Sequence, residues 1–312
     1  MARHRNHLPQ LDGGLFLTDG GIETTLIFHD GLDLPLFAAF HLLRDEAGRK
    51  ALRRYYARYA VLAREQGLGF VLESPTWRAS PDWAARLGYT DAGLARANRA
   101  AVALMGELRA AFEGDHAPMV VSGCVGPRGD GYSPRWIMSV AEAEAYHATQ
   151  IRTFAGTEAD MVTAITMTHA EEAIGVVLAA RAAGLPVAVS FTLETDGRLP
   201  SGQALGAAVE AVDAATDAAP AYFMINCAHP THFRDVLAAG GGWRHRIRGV
   251  RANASKRSHV ELDAATELDG GDPVELGAQH AELRRLLPGL AVLGGCCGTD
   301  HRHVEAIARA CR

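Results

Sequence analysis

Eight short apolar runs recur along the chain, each separated from the next by a longer stretch of helical or turn character. They are LFLT (15–18), GFVLE (69–73), MVVSG (119–123), DMVTAI (160–165), PVAVSFTL (186–193), AYFMIN (221–226), IRGVRAN (247–253) and LAVLGG (290–295). Most are apolar at every position rather than at alternate ones. A strand with one face in water alternates, whereas a strand covered on both faces does not, so the runs predict buried parallel strands. Parallel neighbours need a long crossover, usually a helix, and the intervening segments supply it. Residues 47–67 are Ala-rich and amphipathic and end at Gly67. Residues 139–159 open with a Ser-x-x-Glu capping box at Ser139 and Glu142. Eight strand–helix units predict a closed (β/α)8 TIM barrel of the α/β class. An open doubly wound sheet is the alternative, but the glycine-rich phosphate fingerprint expected after its first strand is missing. With no repeat, low-complexity tract or linker, residues 1–312 are expected to form a single domain.

Charge and cysteine usage narrow the function classes. A net charge of -5 argues against a nucleic-acid footprint or a polybasic membrane anchor, and no apolar run reaches transmembrane length. The opening MARHRNHLPQ is basic but has no apolar core behind it, so no signal peptide is expected. Five cysteines without framework spacing fit a reducing compartment, and the expected location is cytoplasmic. Small-molecule partners are expected; the sequence carries no signal for oligomeric state.

In a barrel the chemistry collects at the C-terminal ends of the strands. Those ends read Asp19-Gly20-Gly21-Ile22-Glu23, Glu73, Cys124, Thr166, Glu194, Asn226-Cys227, Asn253 and Cys296-Cys297. A cysteine is usually an inert buried residue, but here three thiols converge from strands six and eight. Three thiolates suit a tetrahedral zinc ion with one position left for a substrate. Neighbours on a regular strand point to opposite faces, so Cys296 and Cys297 reach one ion only if the chain bends, and Gly294, Gly295 and Gly298 give it that freedom. A vicinal disulfide is the other reading of the pair, opposed by strain and by a reducing compartment. Cys124 reads equally as a packed strand end, and Cys311 as a structural or exposed residue of the last helix. Hydrolytic zinc sites use His and carboxylate ligands. No HExxH occurs here, and His229 and His232 read as surface residues at a helix N-terminus. A thiolate-rich zinc is instead suited to binding a substrate thiol and lowering its pKa. The stretch 124–138 is too long for a plain connection and is expected to be a functional loop. Trp77, Tyr132 and Trp136 lie in loops of the same face, where they would either pack or offer cation–π contacts to an onium compound.

The segments LTDGGIETTL, INCAHP and VLGGCCGTD together resemble the homocysteine S-methyltransferase family, over nearly the whole chain. SGCVGPRGDGY and SFTLETDGRLPSGQAL are more similar to its S-methylmethionine-dependent members than to the betaine-dependent ones. The resemblance implies a (β/α)8 barrel with Zn2+ on Cys227, Cys296 and Cys297, and an Asp19-Gly20-Gly21 turn whose N–H groups face the carboxylate of the thiol substrate. Asp19 and Glu23 are expected to be catalytic, and Gly20, Gly21, Glu73, Trp77, Thr166, Glu194 and Asn226 to contact substrate. Two departures stand out. Where the family carries a Glu for the homocysteine amino group, the run TAITM places Ile165. Where the family is neutral after strand two, ESPTW places Glu73. Either Glu23, Glu73 or Glu194 takes the ammonium, or the thiol is a different one. The function expected is zinc-dependent methyl transfer from an onium donor (S-methylmethionine, S-adenosylmethionine or a betaine-like compound) to a thiol, with homocysteine giving methionine as the leading case. The rival readings are a same-fold methyltransferase or demethylase using another thiol, and a non-catalytic zinc or redox sensor built on Cys296-Cys297.

Overall fold

The computed structural model describes residues 2–134 and 137–312, so Trp136 lies outside the described residues. Eight strands, each parallel to its neighbours, close in chain order into a barrel. They are β1 (Phe16–Leu17), β2 (Gly69–Glu73), β3 (Met119–Val125), β4 (Met161–Met167), β5 (Val187–Thr192), β6 (Tyr222–Asn226), β7 (Ile247–Ala252) and β8 (Val292–Gly295). Each coincides with a predicted apolar run, its ends displaced by two residues at most. The surrounding helices are α1 (Glu46–Glu65), α2 (Pro81–Arg86), α3 (Asp91–Phe112), α4 (Val140–Ala155), α5 (Ala170–Ala182), α6 (Leu205–Thr216), α7 (Pro230–Ala238), α8 (His259–Asp263), α9 (Pro273–Leu286) and α10 (His301–Ala310). The capping box foreseen at Ser139 and Glu142 opens α4.

Because side chains alternate along a strand, the barrel sorts its residues into two sets. Leu72, Val121, Val162, Val189, Ile225, Val250 and Leu293 belong to the main apolar core that includes the helices. Phe16, Val71, Val120, Met161, Ala188, Met224 and Val292 form a second, separate apolar cluster, with Leu8 of the N-terminal segment packed against it. This second set fills the lower barrel. Two residues further along the same strands the interior turns polar, with Thr18, Glu73, Ser122, Thr163, Ser190, Asn226 and Arg251 all buried. Ser122 and Thr163 bond through their hydroxyls at 2.8 Å, and Ser190 donates to Asn226 Oδ1 at 2.6 Å. The apolar floor holds the barrel together, and the polar layer above it is where chemistry is set.

Two local irregularities shape the upper rim. β4 does not end near residue 165 but continues to Met167 through a register shift between Ala164 and Met167, with Thr166 at φ +66°. After β1 the chain enters a π-helical segment, Thr24–His29, before reaching α1. Bulges and π-turns of this kind re-aim backbone near functional sites.

Candidate functional site

The three expected metal ligands meet at the rim. β6 ends at Asn226, and Cys227 follows with φ +53°, a left-handed backbone that a non-glycine residue adopts only when its surroundings hold it there. Asn226 is one of those surroundings: its Oδ1 accepts from Thr166 N–H at 2.9 Å and from Ser190 Oγ, while its Nδ2 donates to Thr166 Oγ1 at 2.9 Å. The side chain just before left-handed Cys227 thus ties down left-handed Thr166 on β4. The Cys227 N–H also donates to the Arg251 carbonyl at 3.1 Å.

β8 ends at Gly295, so Cys296 and Cys297 sit in a turn beyond the strand. That turn is closed by Thr299, whose N–H and Oγ1 donate to the Cys296 carbonyl at 3.1 and 2.6 Å, and it passes through Gly298 at φ +78°. A Cβ on Gly21 would lie 2.6 Å from the Cys296 carbonyl, which is why the first-strand turn needs glycine there. The two neighbouring thiols are freed from strand alternation, as a shared ligand site requires.

The sulfurs of Cys227, Cys296 and Cys297 all lie within 4.8 Å of one another. Cys227 and Cys297 Sγ are 3.8 Å apart, and tetrahedral zinc with Zn–S bonds of about 2.3 Å separates its sulfurs by about 3.8 Å. Cys227 and Cys296 are joined as a disulfide, their Cα atoms 5.4 Å apart. The sulfur–sulfur contact therefore runs between strands, and the vicinal alternative considered from the sequence is not the one formed. Reduced, the same three residues offer a three-thiolate set; oxidised, only Cys297 remains. Burial pushes the Cys297 thiol up to about 11, against a smaller lowering by Tyr132. A buried thiol of this kind loses its proton readily only where a cation stabilises the thiolate left behind, which fits a metal ligand.

A Tyr–His–Glu group surrounds this centre. Tyr132, from the long loop after β3, lies with its hydroxyl 3.2 Å from Cys297 Sγ and 3.7 Å from Cys227 Sγ. Its ring stacks on His259, centroids 4.1 Å apart. His259 Nε2 bonds the Cys227 carbonyl at 2.6 Å, and Nδ1 bonds Glu194 Oε1 at 3.1 Å. Both ring nitrogens face acceptors, which fixes the ring plane beneath Tyr132. Glu194 is therefore engaged through His259. This histidine was missed from the sequence; it opens a five-residue helix whose Ser258–Glu261 capping box was the one signal that could have drawn attention to it.

The carboxylates of the rim separate by partner. Asp19 accepts from Arg251 Nη2 at 2.7 Å and from Tyr55 Oη at 2.8 Å, so both of its oxygens are taken. Arg251 also donates to the Gly20 and Gly295 carbonyls, clamping the first-strand turn to the end of β8. The Gly21 N–H donates to the Thr299 carbonyl and hydroxyl. Glu73 lies in the polar layer inside the barrel near Thr163 and Ser122, its Oε2 buried without a hydrogen-bond partner, and burial raises its pKa to about 7 despite Arg251 nearby. Glu23 is half-buried, and among the described residues no other side chain bonds its carboxylate. Desolvation lifts it to about 7 as well, and its charge is felt at Cys297.

The remaining sequence candidates take simpler places. Arg78 lies 4.2 Å over the Trp77 ring, and the indole is closed in by Gly126 and Gly131. Ile165 is buried at the β4 bulge, outside the main apolar core. Cys124 is a buried strand end whose N–H donates to Ser74 Oγ, apart from the thiol cluster. Cys311 packs in the main core. His229 is not a surface residue as expected: it is buried, and its ring accepts from Thr231 N–H as the N-cap of α7. His232 bonds the Lys256 carbonyl.

Comparison with known proteins agrees with this geometry. The family model described as homocysteine S-methyltransferase matches residues 16–311. No curated protein sequence matches the chain. Among solved structures, the metallated form of the homocysteine methyltransferase MmuM from Escherichia coli is similar at a TM-score of 0.73 and 19% identity, over 96% of this chain and 98% of that one. The oxidised form of the same protein gives 0.73 and 19%, over 95% and 96%. Its apo form gives 0.66 and 17%, over 95% and 96%. At these identities the likeness is one of fold.

Proposed function

The chain belongs to the homocysteine S-methyltransferase family, and on that premise we propose that it is a zinc-dependent enzyme moving a methyl group from an onium donor to the thiol of homocysteine, giving methionine. The observation that carries the reading is the convergence of Cys227, Cys296 and Cys297 at the C-terminal rim, the face on which barrel enzymes do their chemistry. These three side chains would hold the ion. When bound, zinc supplies an open fourth position at which a substrate thiol is kept as the thiolate.

The chain's own groups do the rest. Glu23, at the mouth and bonded by no other side chain among the described residues, is the carboxylate placed to accept the substrate ammonium. Glu194 is already bonded to His259, and Glu73 lies deeper in the barrel. Tyr132 Oη lies over the sulfurs and directs one hydrogen bond at them, while the His259 stack fixes its ring. Displacement of a methyl from a cation by an anion neutralises charge, so a site walled by buried side chains favours it relative to water. The Arg251 carbonyl and His259 hold the Cys227 backbone in its conformation, and Arg251 with Asp19 keeps the first-strand turn against β8. A centre that needs all three thiols reduced suits a reducing compartment such as the cytoplasm.

The test is a matrix of thiols against onium donors with mass spectrometry of the products. Homocysteine with at least one of S-methylmethionine, S-adenosylmethionine or a betaine should yield methionine. If no onium methylates homocysteine, this reading fails. Ile165 supports a second reading, a thiol lacking the α-amino group, and methylation confined to such thiols would select it.

A further inference from the structure

Three arginines are buried among the described residues, and two of them are paired with carboxylates. Arg109, 1% exposed, pairs with Asp160 and Glu158. Arg251, 6% exposed, pairs with Asp19. The third, Arg78, is 8% exposed, yet among the described residues no carboxylate lies within ion-pairing distance of it. Its Nε has no hydrogen-bond partner, and Nη1 makes one long bond, 3.5 Å, to the Gly129 carbonyl. A guanidinium taken out of water without a counter-charge is strongly disfavoured.

The Asp130 and Glu23 carboxylates act on Arg78 from beyond ion-pairing distance, and no anion touches the guanidinium among the described residues. The guanidinium lies 4.2 Å from the Trp77 ring centroid and 3.5 Å from that of Trp83. Trp83 is itself fixed, its Nε1 donating to the Arg128 carbonyl at 3.0 Å, and Trp77 is enclosed by Gly126 and Gly131. Two pinned indoles hold the planar fork in one orientation, which lowers the entropy lost on binding a planar anion. The place is the rim of the active site: Arg78 follows β2, and its charge acts on Glu23 and Tyr132. Trp83, Gly129 and Asp130, which border it, also line a cavity of ≈ 450 Å³.

We propose that Arg78 is the specificity-determining residue that recognises the carboxylate of a substrate in this reaction, either that of an onium donor or that of the thiol. The proposal rests on the methyl-transfer reading above. The substrate supplies the contact anion that Asp130 and Glu23 do not provide, so a ligand lacking a carboxylate leaves the guanidinium without a direct partner and binds less well. The Trp77 face expected to receive an onium is occupied by this guanidinium, so the residue selects for an anionic group.

The test compares parent, Arg78→Gln and Arg78→Lys enzymes, all zinc-loaded and checked for metal content and melting temperature. KM is measured for S-methylmethionine and its carboxyl methyl ester, and for homocysteine and its methyl ester. In Arg78→Gln the KM of one acid should rise about tenfold to a hundredfold, the loss expected for a charge-assisted hydrogen bond, while that of its ester stays unchanged. Arg78→Lys should restore part of the loss. The acid affected identifies the source of the carboxylate. Equal changes for acid and ester, or no change for either acid, overturn the proposal. If no pair turns over, tryptophan fluorescence from Trp77 and Trp83 reads binding of the same four compounds directly. An acid-over-ester preference that disappears in Arg78→Gln then supports the carboxylate site although the methyl-transfer reading has failed, and no preference in the parent protein refutes it.

Discussion

Glu73→Gln removes a titrating group from inside the barrel while keeping the side chain's shape and its place beside Thr163 and Ser122. In the folded protein burial raises Glu73 from its ordinary 4.5 to about 7, with Arg251 opposing the shift. A folded-state pKa above the unfolded one means that folding favours the protonated acid. Its contribution to stability is complete below pH 4.5 and is lost as pH rises through 7. At about 1.4 kcal/mol per pH decade, the rise from 4.5 to about 7 is worth about 3 kcal/mol. Glu73 is 4% exposed, so solvent screening takes little from that figure. The Gln side chain does not titrate. Relative to the parent, Glu73→Gln should therefore gain about 3 kcal/mol between pH 4.5 and pH 8.5. The assay is urea unfolding by circular dichroism at half-unit pH steps, in reducing buffer, with both proteins carrying the same metal load. The difference between the two curves is the quantity to read, because it cancels Glu23, which titrates in the same range. If that difference changes by less than about 1 kcal/mol across the window, Glu73 is not a desolvated carboxyl and the polar layer is wrongly described.

Two further perturbations address the rim. Glu23→Gln should raise the homocysteine KM by about tenfold to a hundredfold with zinc content unchanged, the loss of one charge-assisted bond to an ammonium; steady-state kinetics with metal analysis checks both. Arg251→Met leaves Asp19 buried without its guanidinium and should cost about 3–5 kcal/mol, measured by chemical denaturation. The double variant with Asp19→Asn should recover much of that loss, because the uncompensated charge is then gone.

The barrel was legible because its evidence is local. A strand buried on both faces declares itself by continuous apolar residues, and a capping box such as Ser139–Glu142 marks a helix start from four residues alone. The three cysteines were legible because strand order places the ends of β6 and β8 on one rim. What escaped is side-chain partnership across distance. Asp19 reads as a free carboxylate in its own segment, but Arg251, 232 residues later, occupies one of its oxygens. His259 bonds the Cys227 carbonyl across 32 residues from a short helix that no periodicity announces. The β4 bulge escaped because a register shift depends on the neighbouring strand, so the run ending at residue 165 gave no sign that Thr166 would turn back toward Asn226. The inward and outward sets of each strand could not be told apart either, since both are apolar in the lower barrel and differ only in which neighbours they meet.

The central claim is that Cys227, Cys296 and Cys297 form one metal centre that takes a substrate thiol directly. Zinc K-edge X-ray absorption on reduced, zinc-loaded protein tests it most directly, with and without homocysteine. The account predicts about one zinc per chain, three sulfur neighbours in the free protein and a fourth when homocysteine is added. A sulfur count that stays at three while homocysteine is being methylated, or full zinc retention in a Cys297→Ser variant, would contradict it.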